Sequence, residues 1–129
     1  MKMSFLSVIL TVISFAYLSF LTGCSHAPTK TESTVYYGKA SYYGDKHHGK
    51  LTASGEIYDK NKLTCAHKEI PFETICKVTN LANGKSVVVK VNDRGPFTRG
   101  RIIDLSYKAM KTIDGLKAGV IDVQVEIIE

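Results

Sequence analysis

The chain has 129 residues, with 17 basic against 12 acidic side chains, a formal charge of +5, 44% hydrophobic residues, three cysteines and no tryptophan. That length admits one small domain rather than two, and the apolar fraction excludes a disordered chain. A basic surplus this modest, with no basic block and no aromatic–basic stripe, argues against a nucleic-acid partner.

The chain begins with a leader. Lys2 precedes an apolar segment over residues 5–21, which closes on Leu21-Thr22-Gly23-Cys24. A positive start, an apolar middle and small residues ahead of a cysteine make an export signal, with Cys24 expected to be acylated and to become the new N-terminus. The alternative is a single membrane anchor, since the apolar segment approaches spanning length. Both readings put the remainder outside the cytoplasm. Ser25 follows Cys24 where an Asp would suggest retention at the inner of two membranes. The expected location is therefore the cell envelope, lipid-anchored: the outer membrane facing the periplasm in a two-membrane cell, otherwise the outer face of the cytoplasmic membrane. Residues 24–34 are polar and aperiodic and read as a flexible tether, with His26 a solvated linker residue. Residues 35–129 then form the single domain.

Within it, strand signals recur at short spacing. Residues 35–43 are Tyr-rich, 62–66 form a short run, 74–79 alternate, 86–91 are Val-rich, and 121–128 alternate Ile121, Val123, Val125 and Ile127 with Asp122, Gln124 and Glu126. Asn83-Gly84 marks a hairpin turn between two of these runs. One short helix is predicted over 107–113, capped by Ser106 and ended by Asp114-Gly115, and a second helical turn is expected after Gly55-Glu56. His47-His48, beside Asp45, Lys46 and Gly49, belongs on a mobile loop. Several short strands with one small helix suggest a closed barrel, which leaves no exposed strand edge.

With Cys24 assigned to lipid, Cys65 and Cys76 remain as an even pair in an oxidising compartment. A disulfide between neighbouring strands is the natural expectation. A metal site built from Cys65, His67, Cys76 and His47-His48 is the competing reading, but no C-x-x-C or H-x-x-x-H spacing is present, so no metal is expected.

The most informative stretch is Val87-Val88-Val89-Lys90-Val91-Asn92-Asp93-Arg94-Gly95-Pro96-Phe97, closing on Arg101-Ile102-Ile103-Asp104-Leu105-Ser106. The strand must stop at Gly95-Pro96, because Pro donates nothing to a ladder. Asp93 and Arg94 thus stand at a strand end, either as a solvated turn or as part of a site. Three further segments are dense in polar groups: Ala40-Ser41-Tyr42-Tyr43-Gly44, Thr52-Ala53-Ser54-Gly55-Glu56, and Leu63-Thr64-Cys65-Ala66-His67-Lys68-Glu69-Ile70-Pro71-Phe72. Tyr42 and Tyr43 alternate faces, so only one of them can face a cleft.

Together these segments resemble the rare lipoprotein A (RlpA-like) family of exported lipoproteins. The resemblance covers residues 38–128 and is carried most specifically by Thr52-Ala53-Ser54-Gly55-Glu56 with Val91-Asn92-Asp93-Arg94-Gly95-Pro96. It implies a mainly β fold, a six-stranded double-psi β-barrel with one or two short helices. It also implies a lytic transglycosylase acting on peptidoglycan, with no cofactor. Glu56 and Asp93 become the acidic pair at a glycan cleft with His67 beside them, and Tyr43, Thr52, Arg94 and Asp104 line or brace the groove.

The chemistry suits those residue types. Breaking a glycosidic bond needs a proton on the leaving oxygen while positive charge develops at the sugar carbon. In lytic transglycosylation the sugar's own C6 hydroxyl then closes onto C1, so one acid/base serves both transfers. Asp93 is the expected acid/base, Glu56 its partner carboxylate, and His67 the group that orients or polarises one of them; Asp104 is the alternative donor. Peptide-free glycan exposes lactyl carboxylates, which Lys68, Arg94, Arg99 or Arg101 could meet. The expected partners are peptidoglycan strands, the membrane through the N-terminal lipid, and cell-division or wall-remodelling proteins. Two other classes remain open at this point: a non-catalytic wall-binding module of expansin type, and a scaffold that uses the barrel only as a contact surface.

Overall fold

In a computed structural model of the protein, the described residues are Gly23 and 32–129. The expected export signal, Cys24 and most of the expected tether lie outside them. Six strands form: β1 (Val35–Tyr42), β2 (Thr64–His67), β3 (Ile75–Asn80), β4 (Ser86–Asp93), β5 (Arg101–Leu105) and β6 (Ile121–Ile127). One helix, α1 (Tyr107–Thr112), lies between β5 and β6, and a 3-10 turn spans Asp45–His47. The strands close into a barrel in the order β1-β5-β2-β4-β3-β6. The β1–β5 and β2–β4 pairs are parallel and the other pairs antiparallel. This is the six-stranded double-psi barrel that the resemblance implied.

Alternation fills the interior. Val87, Val89 and Val91 from β4, Ile121, Val123 and Val125 from β6, and Ile103 and Leu105 from β5 are all buried in one core with Ala40, Cys65, Cys76 and Val78. Burying each such branched side chain is worth about 1.5–3 kcal/mol, which makes the Val and Ile runs the main source of cohesion. α1 adds Ala109 and Met110 to the same core, and Ile113, the residue that follows it, joins them. Its start is capped as expected, with Ser106 Oγ accepting from Ala109 N at 3.2 Å. Its end is tied to the β3–β4 hairpin, because Asn80 Nδ2 and Asn83 Nδ2 both donate to Ile113 O, at 2.9 and 3.0 Å.

Two expectations need correction, and one strand gave no signal. β5 gave no alternation signal, because a register shift against β1 opposes two residues, 101 to 103, to one step of β1; Ile102 is the extra residue and the period of two breaks there. The second helical turn does not form. Residues 51–57 instead make a tight hairpin, bridged between Leu51 and Ile57, with Thr52 N donating to Glu56 O at 2.7 Å and Gly55 at φ +87°, a backbone shape that suits glycine. The Cys65–Cys76 disulfide is also absent: both thiols are free and buried. They are not on neighbouring strands, since β4 runs between β2 and β3, with Val91 opposite Cys65 and Val89 opposite Cys76. Two strand spacings, roughly 9–10 Å, exceed the ~4.4–6.8 Å between Cα atoms that a disulfide requires.

Candidate active site

The site grows out of a second register shift. Between β2 and β4, Cys65 pairs with Val91 but Ala66 pairs with Asp93, so Asn92 is an extra residue in β4. Unbroken alternation from Val87, Val89 and Val91 would send Asp93 toward the core. The bulge re-aims it to the face of Ala66 instead. Ala66 also pairs with Asp104 of β5, and Asp104 with Ser41 of β1. Ser41, Asp104, Ala66 and Asp93 therefore form one row across four strands, opposite to the face that carries Cys65, Leu105 and Ile103. Side chains in register on one face are close neighbours, and the small Ala66 leaves space for a carboxylate on each flank.

Both carboxylates are held. Asp93 Oδ1 accepts from the backbone N–H groups of Ala53 and Arg94, each at 2.9 Å, and Oδ2 accepts from the Tyr43 hydroxyl at 2.7 Å. Asp104 Oδ1 accepts from Ser41 Oγ. The turn after Asp93 abuts Asp104, because a Cβ on Gly95 would lie 3.9 Å from Asp104 Oδ2. Tyr43 packs its ring 4.7 Å from that of Tyr58 and 5.4 Å from that of His47. Burial, then the hydrogen bond to Asp93, pushes its phenol far above the ordinary range, so it stays a proton donor. Tyr42 turns the other way, to the core and to Tyr107.

Glu56 arrives from the 51–57 hairpin. That hairpin is fastened to the end of β4 twice, by Ala53 N to Asp93 Oδ1 and by Ser54 N to Asn92 O at 3.3 Å. The buried Thr52 shapes it, with Oγ1 2.9 Å from Ser54 Oγ. Half-exposed Glu56 accepts from Lys90 Nζ at 3.0 and 3.2 Å. The Lys90 hydrogen bond, ahead of those from Glu73 and Asn92, holds this carboxyl below the usual range. The hairpin thus sets Glu56 on Lys90 and Ala53 on Asp93, so that two acids 37 positions apart in sequence are both held along the last four residues of β4.

His67 and Arg94 sit differently. His67 Nδ1 accepts from Glu69 N and Ile70 N, both at 3.1 Å, which puts the proton of the neutral ring on Nε2. Burial lowers its pKa, and its ring lies 5.3 Å from Tyr36. Among the described residues no hydrogen bond joins the His67 ring to a carboxylate. Arg94 Nη1 donates to Ile70 O at 2.9 Å and His67 O at 3.3 Å, with the guanidinium 3.9 Å over the Phe72 ring. It braces the loop after β2. His47 lies against Tyr43, and His48 Nδ1 accepts from Lys60 N at 3.2 Å.

Sequence reasoning missed Ser41, Ala66, Lys90 and Asn92 as members of the site. Ser41 was findable, two residues before Tyr43 on the same strand face. Lys90 was findable as the one charge within the Val run. Ala66 and Asn92 matter only through register, which no single segment displays.

A sequence model of a family described as lytic transglycolase matches residues 35–125. Among similar proteins, the endolytic peptidoglycan transglycosylase RlpA of Vibrio cholerae is 58% identical over 91 residues, which is 70% of this chain and 35% of that protein. Its namesake from Rickettsia bellii is 45% identical over 111 residues, 84% of this chain and 49% of that one. The chain therefore spans half or less of the length of these relatives. Among solved structures, a Streptomyces papain inhibitor has a TM-score of 0.60 at 24% identity, covering 74% of this chain and 96% of that one. The expansin of Clavibacter michiganensis has 0.59 at 20%, covering 74% and 51%. Those two likenesses establish the fold. The sequence match through the whole barrel establishes more: the chain belongs to the RlpA-like lytic transglycolase family.

Proposed function

We propose that this chain is an endolytic peptidoglycan transglycosylase, a lyase that cleaves the MurNAc–GlcNAc bond, leaves 1,6-anhydro-muramyl ends and prefers peptide-stripped strands. The observation that carries the reading is the cross-strand row of Asp93, Ala66 and Asp104, with Glu56 fastened over the same strand end. The name shared by the similar proteins, endolytic peptidoglycan transglycosylase, supports the substrate and the bond.

Asp93 is the acid/base. Its Oδ1 is occupied by two backbone donors, so Oδ2, beside the Tyr43 hydroxyl, is the oxygen that exchanges a proton. Oδ2 protonates the glycosidic oxygen as the bond to C1 breaks. It then takes the proton of the C6 hydroxyl as that oxygen closes onto C1, which restores the acid and consumes no water. Glu56 is the partner carboxylate that faces the developing positive charge. Asp104, braced by Ser41, and Tyr43 contact the sugar, while Thr52 shapes the hairpin that presents Glu56.

His67 is a positioning residue in this scheme. It folds the 67–70 turn through Nδ1, Ile70 O receives Arg94, and Arg94 N donates to Asp93 Oδ1. The barrel is carried on a lipid at Cys24 and works in the envelope, within reach of division or wall-remodelling proteins. The test is mass spectrometry of intact and peptide-free glycan strands after incubation with the protein. Anhydro-muramyl ends, lost in Asp93→Asn and in Glu56→Gln, are expected. Ends retained by both variants overturn the assignment, and binding without ends supports the non-catalytic, expansin-type module.

A further inference from the structure

The outer side of β4 carries a charge cluster that stability does not account for. Lys90 Nζ donates to both oxygens of Glu56 and stands 3.5 Å from Glu73 Oε2. The three side chains come from three separate segments: the 51–57 hairpin, β4, and the loop between β2 and β3. Glu73 holds φ +71°, a left-handed shape that costs a non-glycine residue about 1–2 kcal/mol, and its N–H is fixed to Val91 O at 2.9 Å. Partly exposed ion pairs return about 0–1 kcal/mol, so the pair alone does not repay that strain.

We propose that Lys90 is a positioning residue for the glycan-cleaving reaction: it fixes the Glu56 carboxylate, ionised, over the end of β4 beside Asp93, while Glu73 steadies the ammonium from the other side. The proposal rests on the reading of this site as a transglycosylase. Two carboxylates against one ammonium leave the cluster net negative, which favours the positive charge that develops at C1. Proton transfer is then left to Asp93. Glu56 and Glu73 are the charged groups facing Lys90; its register partners on β2 and β3, Thr64 and Ile75, carry none. The hydrogen bond to Glu56 raises the Lys90 pKa in turn.

The experiment compares Lys90→Met, Lys90→Arg and Glu73→Gln in the full chain, with Lys77→Met as a control for loss of an exposed lysine on β3. The Glu56 side-chain carboxyl is titrated by carbon-detected NMR, and cleavage of peptide-free glycan is followed against pH. In Lys90→Met the Glu56 midpoint rises, kcat falls about tenfold with little change in KM, and the acidic limb of the profile moves to higher pH. Lys90→Arg restores all three, and Glu73→Gln lowers kcat by a smaller factor without raising the Glu56 midpoint, because it also removes a like charge beside that carboxylate. An unmoved Glu56 midpoint in folded Lys90→Met overturns the proposal, as does a loss of kcat with the acidic limb in place. If Lys90→Met does not fold, Lys90→Gln, which keeps a polar side chain and removes only the charge, is read by the same three measurements and decides in the same way. A wild-type protein that leaves no anhydro ends sinks the transglycosylase reading, whereas the Glu56 titration still reports separately whether Lys90 sets that carboxylate.

Discussion

Asp93 and Asp104 are both register partners of Ala66, one on each side of β2. Strands stand about 4.8 Å apart, so the two carboxylates bracket a single fully buried methyl group. A larger side chain at 66 has nowhere to go except between them. Ala66→Val is expected to cost about 1–3 kcal/mol by overpacking and to spread the acids. Cleavage then falls more than stability accounts for, as measured by initial rates beside a urea melt. Wild-type rates in a folded Ala66→Val protein would show that the spacing of the acids is immaterial.

Tyr43 reaches from the end of β1 to Asp93 of β4, crossing two intervening strands in the barrel order. Tyr43→Phe keeps the ring against Tyr58 and removes only the hydroxyl. The expected loss is about 1 kcal/mol of stability, with a larger proportional fall in kcat because the proton-exchanging oxygen of Asp93 loses its partner. Alkali offers a second check. The folded pKa of Tyr43 lies above its unfolded value, so this contribution is complete below pH ~10 and is lost as pH rises beyond it. Wild-type stability should therefore drop more steeply than that of Tyr43→Phe above that pH.

These relationships differ in how far they could be read in advance. The β4 and β6 runs announce themselves, because Val89, Val91, Val123 and Val125 obey a strict period of two and face a single core. Ser106 announces α1 by the chemistry of its cap. β5 does not, since Ile102 and Ile103 stand side by side where the bulge falls. Asp93 is the instructive case: its importance was legible from the turn that follows, yet alternation alone assigns it to the wrong face, and only pairing with β2 reveals the extra residue at Asn92. The disulfide expectation failed for the same reason, as chain order suggested that β2 and β3 were adjacent while the parallel crossover inserts β4 between them.

The thiols supply a direct check on that topology. Cys65 and Cys76 both face the core, and burial pushes both thiols up, Cys76 to about 11. They are expected to resist a thiol-reactive dye in the native protein and to react fully in guanidinium, in addition to any thiol that Cys24 contributes. Reductant should leave the Tm unchanged. A Tm that falls on reduction would mean a bridge exists and the β2–β4–β3 order is wrong.

His67 joins stability to the site through one nitrogen. Nδ1 accepts two backbone N–H groups and burial disfavours the charged ring, so the folded pKa lies below the unfolded value. As pH falls through about 6.5 the unfolded chain takes up a proton that the folded chain refuses, and stability declines until the folded pKa is passed. Replacing the ring removes that dependence at the cost of the turn. His67→Ala is expected to lose about 1–3 kcal/mol at pH 7, as one buried and one part-buried N–H lose their acceptor, and to show a flatter denaturation midpoint between pH 7 and 5. Because the 67–70 turn also holds Arg94, whose N–H donates to Asp93, kcat should fall with little change in KM. Arg94→Lys keeps the backbone donor but loses the planar guanidinium over Phe72, so it should reproduce part of the kcat loss without flattening the pH dependence of stability. Matching pH slopes in wild type and His67→Ala would show that the ring titrates alike in the folded and unfolded chains and that Nδ1 does not hold the turn.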